Sequence, residues 1–169
     1  MFRFTLLVLL CCATSISAGA IKKRSASHSG EYGGNGGLRF SHSINQLNGP
    51  ITALKIRVNP SYITGLQVRY GKEWSDYVGG PSGELEMIVL HPGESITQVS
   101  GKFDSYIRKL KFQTNFGRRF SFGVDVGTSF SASPLFPGAT LIYISGRSGS
   151  WIDAISFHWN NKPNGGTGQ

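Results

Sequence analysis

Cysteine is nearly missing from this 169-residue sequence: its two copies, Cys11 and Cys12, are neighbours close to the start. They fall within residues 1–20, where Arg3, an apolar run over residues 6–13 and a small-residue end, Ala18-Gly19-Ala20, form the pattern of a removed secretory signal. The mature chain is therefore expected to have no thiol, disulfide or cysteine-based metal site, and to be secreted and extracellular. Long hydrophobic runs are lacking too. The run at 6–13 is far shorter than the ~20 apolar residues of a spanning helix, so no transmembrane segment is expected. Acidic residues are scarce: 9 Asp and Glu stand against 17 Lys and Arg. Loss of Arg3 with the signal leaves 16 against 9, a net charge of +7. That balance suits an anionic partner such as a sulfated glycan, an acidic lipid surface or a wall polymer, and it also serves solubility alone. Nucleic acid does not fit the compartment. The four histidines, His28, His42, His91 and His158, are scattered without metal-ligand spacing, so neither metal nor cofactor is expected.

With disulfides excluded, stability must come from burial, and about 150 residues suffice for one core but not comfortably for two. Residues 21–28, with Lys22-Lys23-Arg24, read as a flexible basic lead-in, residues 29–159 as one domain, and residues 160–169 as a disordered tail. Within the domain, Leu54, Ile56 and Val58 alternate with polar or small neighbours. So do Leu66, Val68 and Tyr70; Leu85, Met87 and Val89; Leu110 and Phe112; Phe120 and Phe122; and Ile155, Phe157 and Trp159. A period of two predicts strands with one buried face, and no stretch shows a helical period. The class is all-β. Three segments, starting at Gly49, Ser105 and Ser150, align without gaps on the pattern Ile-x-(Ala/Lys)-(Leu/Ile)-x-(Ile/Phe), at offsets of 56 and 45 residues. Repeats at such periods mark propeller or solenoid units, and three copies with partner hairpins also suit three small sheets around one axis. Strand-like segments resemble one another by chance as well, so the repeat alone does not decide.

The third copy carries Asp153 where the others have Thr52 and Arg108, and it is entered through Ser145-Gly146-Arg147-Ser148-Gly149-Ser150. Small residues leave backbone N–H groups open to close approach, and an adjacent carboxylate accepts strong hydrogen bonds from hydroxyls. The same stretch fits a simple turn in which Asp153 caps a nearby N–H. A second glycine cluster, Gly30-Glu31-Tyr32-Gly33-Gly34-Asn35-Gly36-Gly37, lacks the Lys-Ser/Thr and the following helix of a phosphate loop. Ser148, Asp153 and His158 can be drawn as a triad, but no nucleophile elbow is present, and paired carboxylates at glycosidase separation are not evident. The chain does not read as an enzyme.

These features, together with Ser29-Gly30-Glu31-Tyr32-Gly33, Gly65-Leu66-Gln67-Val68-Arg69-Tyr70-Gly71-Lys72 and Gly149-Ser150-Trp151-Ile152-Asp153, resemble the animal jacalin-related lectins over nearly the whole mature chain. The resemblance implies a β-prism I, in which three four-stranded antiparallel sheets show pseudo-threefold symmetry. It also implies one metal-free site for mannose-type glycans and storage in secretory granules. In that site Asp153, expected at an exposed loop end, accepts from two sugar hydroxyls, with Ser148, Gly149, Ser150, Trp151 and Ile152 on one side and Gly36 and Gly37 on the other. Lys102, Asp104 and Tyr106 mark the selectivity loop. Trp151 stands where relatives have a smaller residue and is expected to stack on a sugar face or widen the contact. Relatives carry lysines near Leu38 and Asp104 that serve sulfated glycans or phosphoinositides. Here Arg39, Lys55, Arg57, Arg69, Lys72 and Arg108 make up the anionic-ligand patch. A second reading follows, a packaging protein whose basic face binds sulfated proteoglycans or acidic membrane surfaces.

Overall fold

The structure, a computed structural model, describes residues 26–161. The expected secretory signal, most of the expected basic lead-in and residues 162–169 lie outside the described residues. Among the described residues there are thirteen strands and one 3-10 turn (Asn45–Asn48). The strands are β1 (Ser27–Gly33), β2 (Leu38–Ser41), β3 (Ile51–Val58), β4 (Ile63–Tyr70), β5 (Glu73–Trp74), β6 (Val78–Gly79) and β7 (Glu84–Val89). They continue with β8 (Ile96–Phe103), β9 (Ile107–Thr114), β10 (Arg119–Gly123), β11 (Thr128–Ala132), β12 (Ala139–Ser148) and β13 (Ile152–Asn161). His28 thus belongs to the first strand and Asn160 and Asn161 to the last, so the folded part extends slightly past both expected boundaries.

The strands form three antiparallel sheets, each built on a central hairpin: β3–β4, β8–β9 and β12–β13. An edge strand flanks each hairpin strand. β7 lies on β3, and β5 and β6 share the edge of β4; β11 lies on β8 and β10 on β9; β2 lies on β12 and β1 on β13. The N-terminal strands therefore complete the last sheet, which ties the two chain ends together. All three sheets turn one face inward onto a single core, as the sides of a triangular prism.

The hairpins repeat closely. Ile51, Ile96 and Leu141 lie at or near the start of the first strand of each at steps of 45 residues, and all three are buried. On the second strand Ile63, Ile107 and Ile152 are each fully buried, followed inward by Leu66, Leu110 and Ile155 and then by Val68, Phe112 and Phe157. Two of the three repeats read from sequence, those of β9 and β13, occupy this equivalent place. The first does not: residues 49–57 lead into and lie along β3, the other strand of its hairpin, and the symmetric mate is β4. Both strands of a hairpin face one core with period two, so their apolar patterns imitate each other.

β7 overturns another expectation. Leu85, Met87 and Val89 face solvent, at 46, 59 and 46 % exposure, while Ile88 is buried. Pairing with β3 sets Ile88 against Leu54 on the inner face and Met87 against Lys55 on the outer. The segment is apolar in both phases near its end, and register decided the face.

One buried polar pair has a pH consequence. His42, 3 % exposed, places Nδ1 3.1 Å from the Tyr70 hydroxyl. Burial pulls its pKa down from 6.5 to about 4, against a weaker upward pull from Asp76. The folded value lies below the unfolded one, so the unfolded chain takes up more protons as pH falls from 6.5 to 4, and stability drops across that window by up to about 3 kcal/mol. Denaturant midpoints at pH 7 and pH 4 are expected to diverge less in His42→Gln than in the wild type. Some acid sensitivity persists in that variant from Glu94. Desolvation raises its carboxyl pKa, but the His91 N–H and Arg118 outweigh this and hold it below the ordinary range.

Candidate functional site

At one end of the prism each hairpin carries a β-bulge in its second strand. Arg147 pairs with Ala154 and Ser148 with Ile152, which leaves Asp153 as the extra residue. In the same way Arg108 is left over between Lys109 and Ile107, and Thr64 between Gly65 and Ile63. A bulge re-aims the side chain of its extra residue. Here all three are aimed at the loop end.

Beside each bulge runs a five-residue loop with glycine at both ends: residues 33–37, 79–83 and 123–127. The residue after the first glycine bonds back to the bulged residue's carbonyl each time: Gly34 N–H to Asp153 O at 2.9 Å, Gly80 to Thr64 at 2.8 Å and Val124 to Arg108 at 2.9 Å. A cation from the first hairpin strand also reaches each loop. Arg147 Nη1 donates to Asn35 O at 3.2 Å, Arg57 Nη1 to Gly83 O at 2.8 Å, and Lys102 Nζ lies 3.9 Å from Asp125. The sequence holds a signal for this arrangement, Gly-x-x-x-Gly three times at steps of 46 and 44 residues, that pattern reading did not exploit.

The three loop pairs differ in how the bulged side chain is used. The Thr64 hydroxyl donates to Ser82 O at 2.6 Å. Arg108 Nε donates to Asp104 Oδ2 at 2.7 Å, and its guanidinium lies 4.2 Å from the Tyr62 ring centre. Desolvation alone would raise the Asp104 carboxyl pKa, but this pair and the Tyr106 N–H hold it below the ordinary range. Asp153 stands apart. Its Oδ2 is buried and accepts no hydrogen bond from any described residue. Its carboxylate rests against Gly36 and Gly37: a Cβ on Gly36 would overlap Oδ1, and one on Gly37 would come 2.5 Å from Oδ2. In the other two loops the counterparts of Gly36 are Ser82 and Val126. The N–H groups of Ser150 and Trp151 likewise have no acceptor among the described residues, whereas Gly149 N–H is turned inward onto Trp151 O at 3.0 Å.

Several expectations need correction. Asp153 is not at an exposed loop end: it is the second residue of β13 and 5 % exposed. Trp151 is not free on both faces. It stacks on Tyr62, with ring centres 4.5 Å apart and planes 18° apart, and Tyr106 meets it edge-on at 4.7 Å. Tyr62, Tyr106 and Trp151 each precede the buried isoleucine of a symmetric strand, so this cluster sits between the three loop pairs. Of the selectivity residues, Tyr106 reaches Trp151, and the intervening Ser105 backbone abuts Gly34. Asp104 is engaged by Arg108, and Lys102 serves the loop at 123–127. The basic residues Arg39, Lys55, Arg57, Arg69, Lys72 and Arg108 do not form one patch. Arg39 lies on the β1–β13–β12–β2 sheet, 3.5 Å from Glu31, and Arg108 lies on β9. Lys55 and Arg69 lie over the Trp74 ring on the β3–β4 sheet. Arg147, unremarked in the sequence, holds both Glu31 and the 33–37 loop. The paper triad does not assemble. His158 lies five residues past Asp153 along an extended strand, roughly 17 Å away, bonded to Ser145 Oγ at 2.8 Å and stacked on Tyr143.

Residues 29–158 match the jacalin-like lectin domain. The chain belongs to that family. It is 64% identical to zymogen granule membrane protein 16 of Rattus norvegicus over 163 residues, covering 96% of each chain. Among solved structures it is similar to a prostate-specific WGA16 glycoprotein lectin, with a TM-score of 0.68 at 31% identity, covering 81% of this chain and 100% of that one. It is also similar to AcmJRL, a mannose-binding jacalin-related lectin from Ananas comosus, with a TM-score of 0.67 at 27% identity, covering 80% and 97%. Jacalin-like lectins bind carbohydrate and are not enzymes. The three-sheet prism is their fold, and among the described residues no helix is long and apolar enough to cross a membrane.

Proposed function

We propose that this jacalin-like lectin is secreted, held in secretory granules and binds mannose-type glycans at one metal-free site. The site is formed by Gly36, Gly37 and residues 148–153, with Tyr106 at its border. The observation that carries the reading is the contrast among three symmetric positions. Thr64 and Arg108 are satisfied within the protein, while Asp153 keeps a buried oxygen unpaired beside a glycine gap. A buried acceptor without a partner costs roughly 1–3 kcal/mol, and a pair of sugar hydroxyls relieves that cost. The ionised carboxylate accepts from adjacent hydroxyls, and the N–H groups of Ser150 and Trp151 donate to their oxygens. Granule storage draws its support from the 64% identical relative, whose name places it in zymogen granules. Secretion draws its support from the residues 1–20 pattern.

Few hydrogen bonds on an open surface give weak affinity per site, so strength comes from clustered ligands. A glycan array probed at low and high ionic strength tests the reading. Neutral mannose-type glycans are expected to give signals that barely change with salt, since no ligand charge is there to be screened. Absence of any neutral glycan among the bound set would overturn it.

A further inference from the structure

Two grooves open at the end of the prism opposite Asp153. β3, β8 and β12 start at that end and β13 runs down to it, so that Asn161 lies roughly 27 Å from Asp153 along an extended strand. The grooves have volumes of about 810 and 520 Å3. Each is lined by 12 residues, three of them shared, and the 21 in all form one continuous surface. None of the 21 is Lys, Arg, His, Asp or Glu. Large apolar side chains stand out of this surface. Leu135 and Leu47 are 78 and 77 % exposed, and Phe136 is exposed as well. Ile44, whose carbonyl accepts from the Leu47 N–H, is exposed beside them. The loop that presents Leu135 and Phe136 is anchored at both points: Leu135 N–H donates to Ser27 Oγ at 3.3 Å, and Ala139 N–H to Phe136 O at 3.3 Å. Contiguous exposed apolar surface of this kind marks an interaction site.

We propose that this end is the docking surface for a second copy of the chain. Knob and hole lie side by side on it. Leu135 and Phe136 are the knob, and the 520 Å3 groove between Leu47, Pro50 and Ile142 is the hole. A two-fold axis through such a surface sets each knob into the other copy's hole, since in an isologous contact the same patch serves both partners. Charge favours the same pairing. With a mature net charge of +7, two copies repel one another across most of their surfaces, whereas the 21 lining residues bring no charge to the contact. The size is sufficient too, since a stable interface takes roughly 20–30 residues a side. Gln46, Asn115 and Asn160 supply hydrogen bonds among the apolar contacts. Residues 162–169, which follow Asn161, contain no apolar side chain larger than proline and offer nothing to fill the hole. An axis lying in this interface sends the two Asp153 ends to opposite poles, roughly 50 Å or more apart. One dimer then bridges two glycan-bearing surfaces, which supplies the multivalency that a weak single site needs. The bridging rests on the sugar reading; the dimer does not.

Sedimentation velocity on the full mature chain, over a series of micromolar concentrations at low and high salt, tests the proposal. A reversible monomer–dimer equilibrium is expected, and salt is expected to leave it unchanged or strengthen it, because screening weakens the repulsion between two cationic copies. Leu135→Glu and Leu47→Glu each place a charge in an apolar contact and are each expected to weaken association about tenfold or more. Both positions are exposed in the single chain, so denaturant midpoints are expected to match the wild type. Met87→Glu, which alters an exposed apolar residue on β7, is expected to leave the dimer as it is. Leu135→Glu is further expected to bind methyl α-mannoside as the wild type does and yet to lose the clumping of mannose-coated beads. A wild-type dimer that clumps no beads sinks the sugar reading alone. A monomer at every concentration, a dimer that either groove variant leaves unchanged, or one that Met87→Glu weakens instead, overturns the docking surface.

Discussion

Asp153→Ala is expected to abolish measurable binding of methyl α-mannoside while leaving the fold intact or slightly more stable. Two hydrogen bonds to an ionised acceptor contribute about 1.5–3 kcal/mol each, so their loss weakens binding by about 100-fold or more. Beginning from a weak single-site affinity, that takes the complex beyond ordinary calorimetric detection. Stability is expected to move the other way or not at all. Removing one partner of a buried pair destabilises because the other is left behind, but Asp153 Oδ2 leaves no protein partner behind among the described residues. The backbone of the bulge is held independently, through Gly34 N–H to Asp153 O. Isothermal titration with the mannoside and a denaturant midpoint at pH 7 check the two halves. An unfolded variant would make the acid structural, and an unchanged affinity would place the sugar elsewhere. Asp153→Asn refines the result: it keeps the shape and removes the charge, so a comparable loss assigns the effect to the anion.

Much of the architecture was legible because burial in a prism is one-sided. Ile155, Phe157 and Trp159 alternate cleanly with polar residues, and all three are buried. What sequence could not supply was register. Ile51-x-x-Leu54-x-Ile56 and Ile63-x-x-Leu66-x-Val68 both satisfy the inward pattern of the β3–β4 hairpin, so choosing between them needed the pairing itself. Leu85, Met87 and Val89 fail for the same reason, since Ile88 and Leu90 in the opposite phase are just as apolar and are the ones buried. The candidate site was legible as composition, an acid near glycines, but not as geometry. A bulge is a matter of pairing, so the strand position of Asp153 and its burial were invisible. So was the division of labour among cations: Arg57, Lys102 and Arg147 occupy one symmetric position on three hairpins and reach three equivalent loops. Charge counting alone assigns the first two to a ligand.

Gly36→Ala is expected to remove mannoside binding with almost no effect on folding, and this separates a site residue from a structural glycine. Gly36 is not among the glycines with left-handed backbone, so a side chain adds no backbone strain there. Its symmetric counterparts are Ser82 and Val126, which show that a five-residue loop of this design accepts a side chain at this point. Stability should stay within about 1 kcal/mol of the wild type. The added methyl, however, would overlap Asp153 Oδ1, so the carboxylate must turn and the space for sugar hydroxyls is filled. A loss of at least about tenfold, ~1.4 kcal/mol, is expected by titration. Gly37→Ala makes the contrast. Gly37 has φ of 64°, and its Cβ would also press on the Ser148 carbonyl oxygen at 2.8 Å. That change is expected to lower both stability and binding, because an L side chain strains the left-handed turn that ends the loop. If Gly36→Ala binds as the wild type does, sugar does not occupy the gap beside Asp153, and the contrast with Thr64 and Arg108 loses its functional meaning.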